Sequence, residues 1–169
     1  MSFHLAFGAQ EEPQEAPKGF PFDTTICLSD LIDSDTVTYV TRYSVTGQTI
    51  KVRQNREPIS RQVLVNGRQI LLWRHGREVF ATSTICPHQG LSLALGDLED
   101  LNLDGKPPCI TCPHHKWKWD VQSGSCRNHM DPDRMLTTYN VQLDSNERIY
   151  IVFPSFDQSL FSQDSQEDF

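Results

Sequence analysis

The chain is 169 residues long, with a net charge of −7 and 37% hydrophobic residues, which is enough to bury the core of one globular domain. Its acidic balance and lack of a basic stripe exclude a typical nucleic-acid-binding protein. No stretch is long and apolar enough to span a bilayer, so we expect no membrane association. The five cysteines are too few and too irregularly spaced for the disulfide framework of a small secreted domain.

The negative charge lies at the two ends of the chain. Residues 1–23 carry a net charge of −3 and residues 154–169 carry −4, which leaves the centre neutral. Both ends are rich in Glu, Gln, Ser, Asp and Pro, a composition that buries too little apolar surface to become ordered. We therefore predict a disordered leader at 1–23, one folded domain at 24–153 and a disordered tail at 154–169. The leader is acidic and has no basic n-region, which argues against a targeting signal.

The central segment is predicted to be all-β. Runs rich in Thr, Val, Ile and Tyr alternate with turn residues, and no run has the periodicity of an amphipathic helix. Asn66-Gly67 is the strongest two-residue hairpin signal, and His75 is predicted to be a solvated residue of the next turn. Such short strands at regular spacing indicate a sandwich or barrel-like fold. The predicted strands are 24–28, 36–45, 49–53, 62–65, 69–74, 78–82, 108–111, 116–120, 135–143 and 148–153. The aromatic residues expected in the core are Trp73, Phe80 and Tyr150.

Two short boxes of metal-ligand residues interrupt these strands. The first is Cys86-Pro87-His88, and the second is Cys112-Pro113-His114-His115. Proline follows the cysteine in both boxes, and Gly90 stands shortly after the first. The 23 residues between His88 and Cys112 include a polar stretch at 99–108, which we predict to be an inserted surface loop.

The run GDLEDLNLDGKPPCITCPHHKWK, together with both boxes, resembles the soluble Rieske-type ferredoxins of the Rieske iron–sulfur family. The resemblance implies stacked antiparallel sheets and one [2Fe-2S] cluster per chain, held by two loops. It also implies that Cys86 and Cys112 bind the inner iron, whereas His88 and His115 bind the outer, solvent-facing iron. Neutral imidazoles leave the oxidised cluster uncharged, which makes it easier to reduce than an all-cysteine cluster.

A zinc site is the alternative. Cys109 and Cys112 form a Cys-x-x-Cys pair, which could close a tetrahedral site with His115 and one residue of the first box. The protein would then be a zinc-structured interaction module. We prefer Cys109 as a buried thiol and His114 as a capping or surface residue, because the zinc site leaves one box partly unused.

Lysines and tryptophans alternate after the second box, with Lys116 and Lys118 between Trp117 and Trp119. We favour in-and-out alternation on a half-buried strand over a basic collar that guides partners.

The function implied by the resemblance is electron transfer. We expect a monomeric cytoplasmic protein that carries one electron from a flavoprotein reductase to an acceptor such as an oxygenase; its free thiols favour a reducing compartment. We do not expect an enzyme, because an oxygenase needs a second iron site with two histidines and a carboxylate. Only 49 residues follow Asp120, and the candidates there, the single histidine His129 and the nearby carboxylate of Asp131, are too few for that site.

The resemblance also implies a low reduction potential. In respiratory Rieske proteins, a serine and a tyrosine after the second box donate hydrogen bonds, and a disulfide ties the loops together. Trp117 and Trp119 stand at the donor positions here, and Leu91 and His114 at the disulfide positions. Fewer donors stabilise the reduced cluster less, so we predict a midpoint at the low end of the Rieske range.

Overall fold

The computed structural model describes residues 18–47, 49–54, 57–99, 107–129 and 131–157. These residues form strands and two 3-10 turns, Leu28–Asp30 and Ser34–Thr36, with no α-helix among them. The strands are β1 (Phe20–Cys27), β2 (Tyr39–Tyr43), β3 (Thr49–Arg53), β4 (Arg61–Val65), β5 (Arg68–His75), β6 (Glu78–Ser83), β7 (Asp97–Glu99), β8 (Cys109–Thr111), β9 (Lys118–Asp120), β10 (Thr138–Leu143) and β11 (Arg148–Phe153). In the described part of the chain, no helix is long and apolar enough to cross a membrane.

The strands form three antiparallel sheets. The largest has the order β1-β11-β10-β6-β5-β4, and two smaller sheets are formed by β2-β3 and β7-β8-β9. The hairpin between β4 and β5 turns at Asn66 and Gly67, whose φ angles are 48° and 70°. Two positive φ angles define the type I′ turn that Asn-Gly favours. The prediction of an all-β fold built from antiparallel sheets is confirmed.

Strand β5 organises the core because it is buried on both faces. Successive side chains of a strand point to opposite sides, so Leu71 and Trp73 pack on one side and Ile70 and Leu72 on the other. The first side also contains Cys86, and the cluster of buried residues there extends to β8 and β9. The second side packs against β11. The sheet thus separates two apolar cores. The core on the first side contains Cys86 and supports the two cysteine loops, and the core on the second side does not contain either box cysteine.

The structure confirms Trp73 and Phe80 as core residues but not Tyr150. Ile149 and Ile151 fill the inward positions of β11, so alternation places Tyr150 on the opposite face, where it is only half-buried. The sequence correctly predicts a strand from 148 to 153. Which of its two faces is buried depends on the strands with which it pairs.

His75 is not the solvated turn residue that the sequence predicted. Its Nδ1 atom lies 2.9 Å from the Ser34 hydroxyl and 3.0 Å from an Asp35 carboxylate oxygen. Ser34 and Asp35 belong to a 3-10 turn some forty residues earlier in the chain. The contact therefore anchors that turn to the end of β5.

The folded part of the chain extends beyond 24–153. Strand β1 begins at Phe20, which pairs with Phe153, so residues 20–23 belong to a strand rather than to a leader. At the other end, the Phe156 ring lies 4.5 Å from that of Phe20, and the Asn66 side chain hydrogen-bonds to the Ser155 carbonyl. Residues 1–17, 158–169 and 100–106 of the proposed leader, tail and insertion lie outside the described residues.

The sequence prediction also missed β7. Asp97–Glu99 pairs with β8, although its residues are mostly acidic and carry no strand signal of their own. Its pairing with β8 supplies the third strand of the small sheet under the second box.

Candidate metal centre

The first candidate ligand loop, residues 86–91, follows the end of β6. The Cys86 N–H donates to the Leu91 carbonyl at 2.8 Å, and the Gly90 N–H donates to the Cys86 carbonyl at 2.9 Å. Gly90 has a φ of 72°, in the left-handed region that glycine adopts without strain. These bonds turn the chain back on itself and hold Cys86 at the base of the loop.

The second candidate ligand loop, residues 112–117, connects β8 to β9 and has the same hydrogen bonds. The Cys112 N–H donates to the Trp117 carbonyl at 2.8 Å, and the Lys116 N–H donates to the Cys112 carbonyl at 3.1 Å. Lys116 has a φ of 61° and therefore takes the position of Gly90. Two separate segments thus form matching loops, each with its cysteine at the base.

The two cysteines meet beneath these loops. Cys86 and Cys112 are each 1% exposed and lie in one core cluster. Burial raises the pKa of Cys86, and a hydrogen bond between the two thiols raises it further, whereas the His88 backbone N–H and the Trp119 indole lower it. Two sulfurs this close and this well shielded from water form a soft, preformed pair of metal ligands.

The two box histidines lie on the outer side of the cysteines. The His88 and His115 rings are perpendicular, with centroids 4.9 Å apart. His88 is half-buried and His115 is exposed. Desolvation and the nearby positive charges of His115 and Arg134 lower the pKa of His88. His88 is therefore neutral at pH 7, the form in which imidazole binds a metal. His114 is exposed, as predicted.

Trp117 holds the outer face of His88. Its ring stacks on His88 with centroids 4.1 Å apart and on His129 with centroids 4.3 Å apart. Arg134 lies over the Trp117 ring at 6.0 Å and donates to the His88 carbonyl at 2.8 Å. Sequence reasoning missed this group, because no local pattern connects 129 or 134 to the first box.

Two buried polar atoms at the loops have no hydrogen-bond partner among the described residues. They are Nδ1 of His88 and Nε1 of Trp119. Native proteins rarely leave such atoms unpaired, and an unpaired atom can indicate a missing ligand or ion. A third, the Thr111 hydroxyl, lies on the other face of β8 by strand alternation. The remaining atoms without hydrogen bonds belong to side chains in ion pairs, namely Arg53 with Asp97 and Arg148 with Asp23. The donor set around the cysteines therefore fits a metal–sulfur group.

Cys109 lies apart from this donor set. It is fully buried on β8, where alternation directs it to the face opposite Cys112. Burial raises the pKa of its thiol to about 11. In the described part of the chain, no three His, Cys, Asp or Glu side chains converge on a single-ion site. The sequence prediction of a buried thiol at Cys109 agrees with this placement.

The predicted alternation after the second box is present from Lys118 onward. Trp119 is fully buried, and Lys118 points the other way, with its Nζ 2.7 Å from a Glu99 carboxylate oxygen. Because Glu99 neutralises Lys118, only Lys116 of the two lysines could contribute to a basic collar.

The fold and the donor set together fit an iron–sulfur protein domain. Residues 42–140 match the Rieske [2Fe-2S] domain family, and the chain belongs to that family. It therefore carries a Rieske-type [2Fe-2S] cluster.

Known proteins agree with this assignment. Over 61 residues the chain is 41% identical to a human Rieske domain-containing protein, a match that covers 36% of this chain and 37% of that protein's length. One similar fold is that of a protein described as the small subunit of a nitrite reductase (NADPH), with a TM-score of 0.55 and 19% identity over 81% of this chain and 100% of that one. Another is a nitrite reductase small subunit from Mycobacterium tuberculosis, with a TM-score of 0.51 and 20% identity over 72% of this chain and 99% of that one.

Proposed function

We propose that Cys86 and Cys112 bind the inner iron of the cluster and that His88 and His115 bind the outer iron. The single observation that carries this proposal is the match between the two loops, which hold both cysteines together below and both imidazoles above. Two cysteines and two histidines are the Rieske ligand set.

Each side chain has a definite task in this proposal. The cluster, when bound, takes up and releases one electron at a time. The buried cysteines anchor it on the apolar core and keep water from its inner side. His88 is neutral and held by Trp117 and Arg134, so its ring is fixed before the metal arrives. His115 reaches the surface and forms the edge that a partner can approach.

The protein is, in this proposal, a carrier and not a catalyst. It accepts an electron from a flavoprotein reductase and passes it to an acceptor such as an oxygenase or a reductase component. Two of the solved structures with a similar fold are described as small subunits of nitrite reductases, which supports service to a larger redox enzyme. We further propose that it works as a monomer. The compartment we propose is the reducing cytoplasm, since none of its five cysteines forms a disulfide.

Absorption and EPR spectra of the purified protein, with iron and acid-labile sulfide assays, test this function. We expect two irons and two sulfides per chain and a colour that is bleached by reductant. Cys86→Ser and Cys112→Ser should abolish assembly, and Cys109→Ser is the matched control that should keep the spectrum. A colourless protein with stoichiometric zinc would favour the interaction module, and loss of the cluster in Cys109→Ser but not in His88→Ala would refute our ligand set.

A further inference from the structure

The two candidate ligand loops, 86–91 and 112–117, are both contacted by one neighbouring stretch of chain. This stretch comprises residues 125–129 and 131–134, and we call it the bracing segment. None of the five cysteines forms a disulfide, so no disulfide links the two loops. The contacts of the bracing segment therefore bear on how the loops keep their relative positions.

The bracing segment first runs beside β9. Trp119 forms a β-bridge with Cys126, and the Arg127 N–H donates to the Lys118 carbonyl at 2.8 Å. This backbone pairing carries the segment along β9 to the point at which β9 meets the second loop.

Asn128 continues the pairing with its side chain. Its Nδ2 donates to the Lys116 carbonyl at 2.9 Å, and its Oδ1 accepts the Lys118 N–H at 2.9 Å. The side-chain amide thus pairs with the backbone on both sides of Trp117, as the backbone of a further strand residue would. These two bonds fix the end of the second loop, where Trp117 stacks on His88.

Arg134 contacts the other loop. Its guanidinium donates to the His88 carbonyl at 2.8 Å. The same guanidinium pairs with the Asp131 carboxylate at 3.0 Å, which restricts the rotamers of the arginine. One end of the bracing segment is therefore bonded to the second loop, and the other end is bonded to the first.

We propose that Asn128 and Arg134 are positioning residues, which tie the two ligand loops to each other through the bracing segment and so retain the bound cluster. The inference rests on the proposed function, because retention requires a cluster that both loops hold. Each residue acts on the backbone of one loop. The two contacts are links in one connection, so the loss of either link releases one loop from the other.

The test measures the rate at which the purified protein loses its cluster to a ferrous-iron chelator, followed by visible absorbance. Asn128→Asp removes the donor to the Lys116 carbonyl, and Arg134→Leu removes the donor to the His88 carbonyl. Both side chains are exposed, so neither change disturbs the core. Each should speed cluster loss about tenfold, as expected for one lost hydrogen bond. Because the links act in series, the double variant should lose its cluster about as fast as either single variant, whereas independent sites would give about a hundredfold effect.

Asn66→Asp is the matched control. The Asn66 amide also makes two bonds, to the Ser155 carbonyl and from the Asp157 N–H, but it lies in the turn between β4 and β5. Asp-Gly favours the same turn as Asn-Gly, so the rate of cluster loss should not change even if the melting temperature falls. Arg134→Lys keeps a cationic donor and should recover most of the retention.

Pulsed EPR of the reduced protein supplies a readout that general destabilisation would not change. The ¹⁴N couplings of the histidine ligands should differ in Arg134→Leu and stay the same in Asn66→Asp. Unchanged loss rates in both single variants, a hundredfold effect in the double variant or equal acceleration in Asn66→Asp would each overturn the inference.

Hydrogen–deuterium exchange of the unsubstituted protein covers variants that do not fold. The Lys118 N–H donates to Asn128, so it should exchange far more slowly than in an unstructured peptide of the same sequence. Fast exchange at Lys118 in a protein with an intact Rieske spectrum would overturn the bracing role alone. Absence of the Rieske spectrum would overturn the proposed function as well.

Discussion

Gly90 and Lys116 occupy the same position in the two candidate ligand loops, with φ angles of 72° and 61°, although only one of them is a glycine. Each N–H closes its loop by donating to the carbonyl of the cysteine four residues earlier. The second loop therefore holds Lys116 in the left-handed backbone region. For a residue with a Cβ atom, this conformation is about 1 kcal/mol less favourable in free energy.

This relationship predicts opposite effects for two substitutions. Gly90→Ala should destabilise the protein by about 1 kcal/mol, and since no atom lies within 4 Å of the added Cβ, backbone strain is the whole cause. Lys116→Gly should be neutral or stabilising by less than about 1 kcal/mol, because relief of strain outweighs the entropy gained by the unfolded chain. Urea unfolding of both variants measures this, and a clear loss of stability in Lys116→Gly would show that its side chain has a structural role.

The buried pair of Asp120 and Arg127 predicts a pH-dependent stability. Burial opposes ionisation of Asp120, but the Ser123 backbone N–H and the Arg127 guanidinium outweigh it and hold the pKa of the carboxyl below its usual 3.8. A lowered pKa stabilises the fold above the unfolded pKa, and that stability is lost as the pH falls through the folded pKa.

Asp120→Asn should therefore cost about 2 kcal/mol at pH 7, and its deficit relative to the unsubstituted protein should shrink as the pH falls below about 4. Thermal unfolding at pH 7, 4 and 3 measures the deficit. Glu147→Gln is the control, because the Glu147–Arg77 pair is exposed and should contribute less than about 1 kcal/mol. A deficit independent of pH would mean that packing, not charge, makes Asp120 important.

We predict a midpoint potential at the low end of the Rieske range, which spans roughly −150 to +300 mV. Trp117 stacks on His88 where respiratory proteins have a hydroxyl donor. None of the five cysteines forms a disulfide, and Glu99 neutralises Lys118. Protein-film voltammetry at neutral pH measures the midpoint, and a value well above zero would instead indicate a quinol-oxidising role.

The ends of the folded domain can be located by truncation. Removing residues 1–17 and 158–169 should keep the cluster and leave the melting temperature within a few degrees, because their composition favours solvated tails. Phe20→Ala should cost about 1 kcal/mol, since the Phe20 and Phe156 rings are in contact at 4.5 Å. Thermal unfolding with the cluster absorbance as probe compares them. A large loss in the truncated protein would mean that one of the ends docks on the domain.

The all-β class, most of the strands and the two ligand boxes could be predicted from the sequence alone. These features are local. The Asn66-Gly67 turn follows from the backbone preferences of two adjacent residues, and each Cys-Pro box carries its ligands within four positions. Such local features can be predicted from the sequence because they do not depend on contacts with distant parts of the chain.

The contacts that support the two boxes depend on the tertiary fold and could not be predicted. His129 stacks on Trp117, and the Ser34 hydroxyl contacts the His75 ring. The partners are too far apart in the sequence for the periodicity of a strand to predict either contact. Tyr150 could not be placed for a similar reason. Alternation along a strand predicts that its side chains point to two opposite faces, but it does not predict which face is buried. The covered face is set by the pairing of β1, β10 and β11.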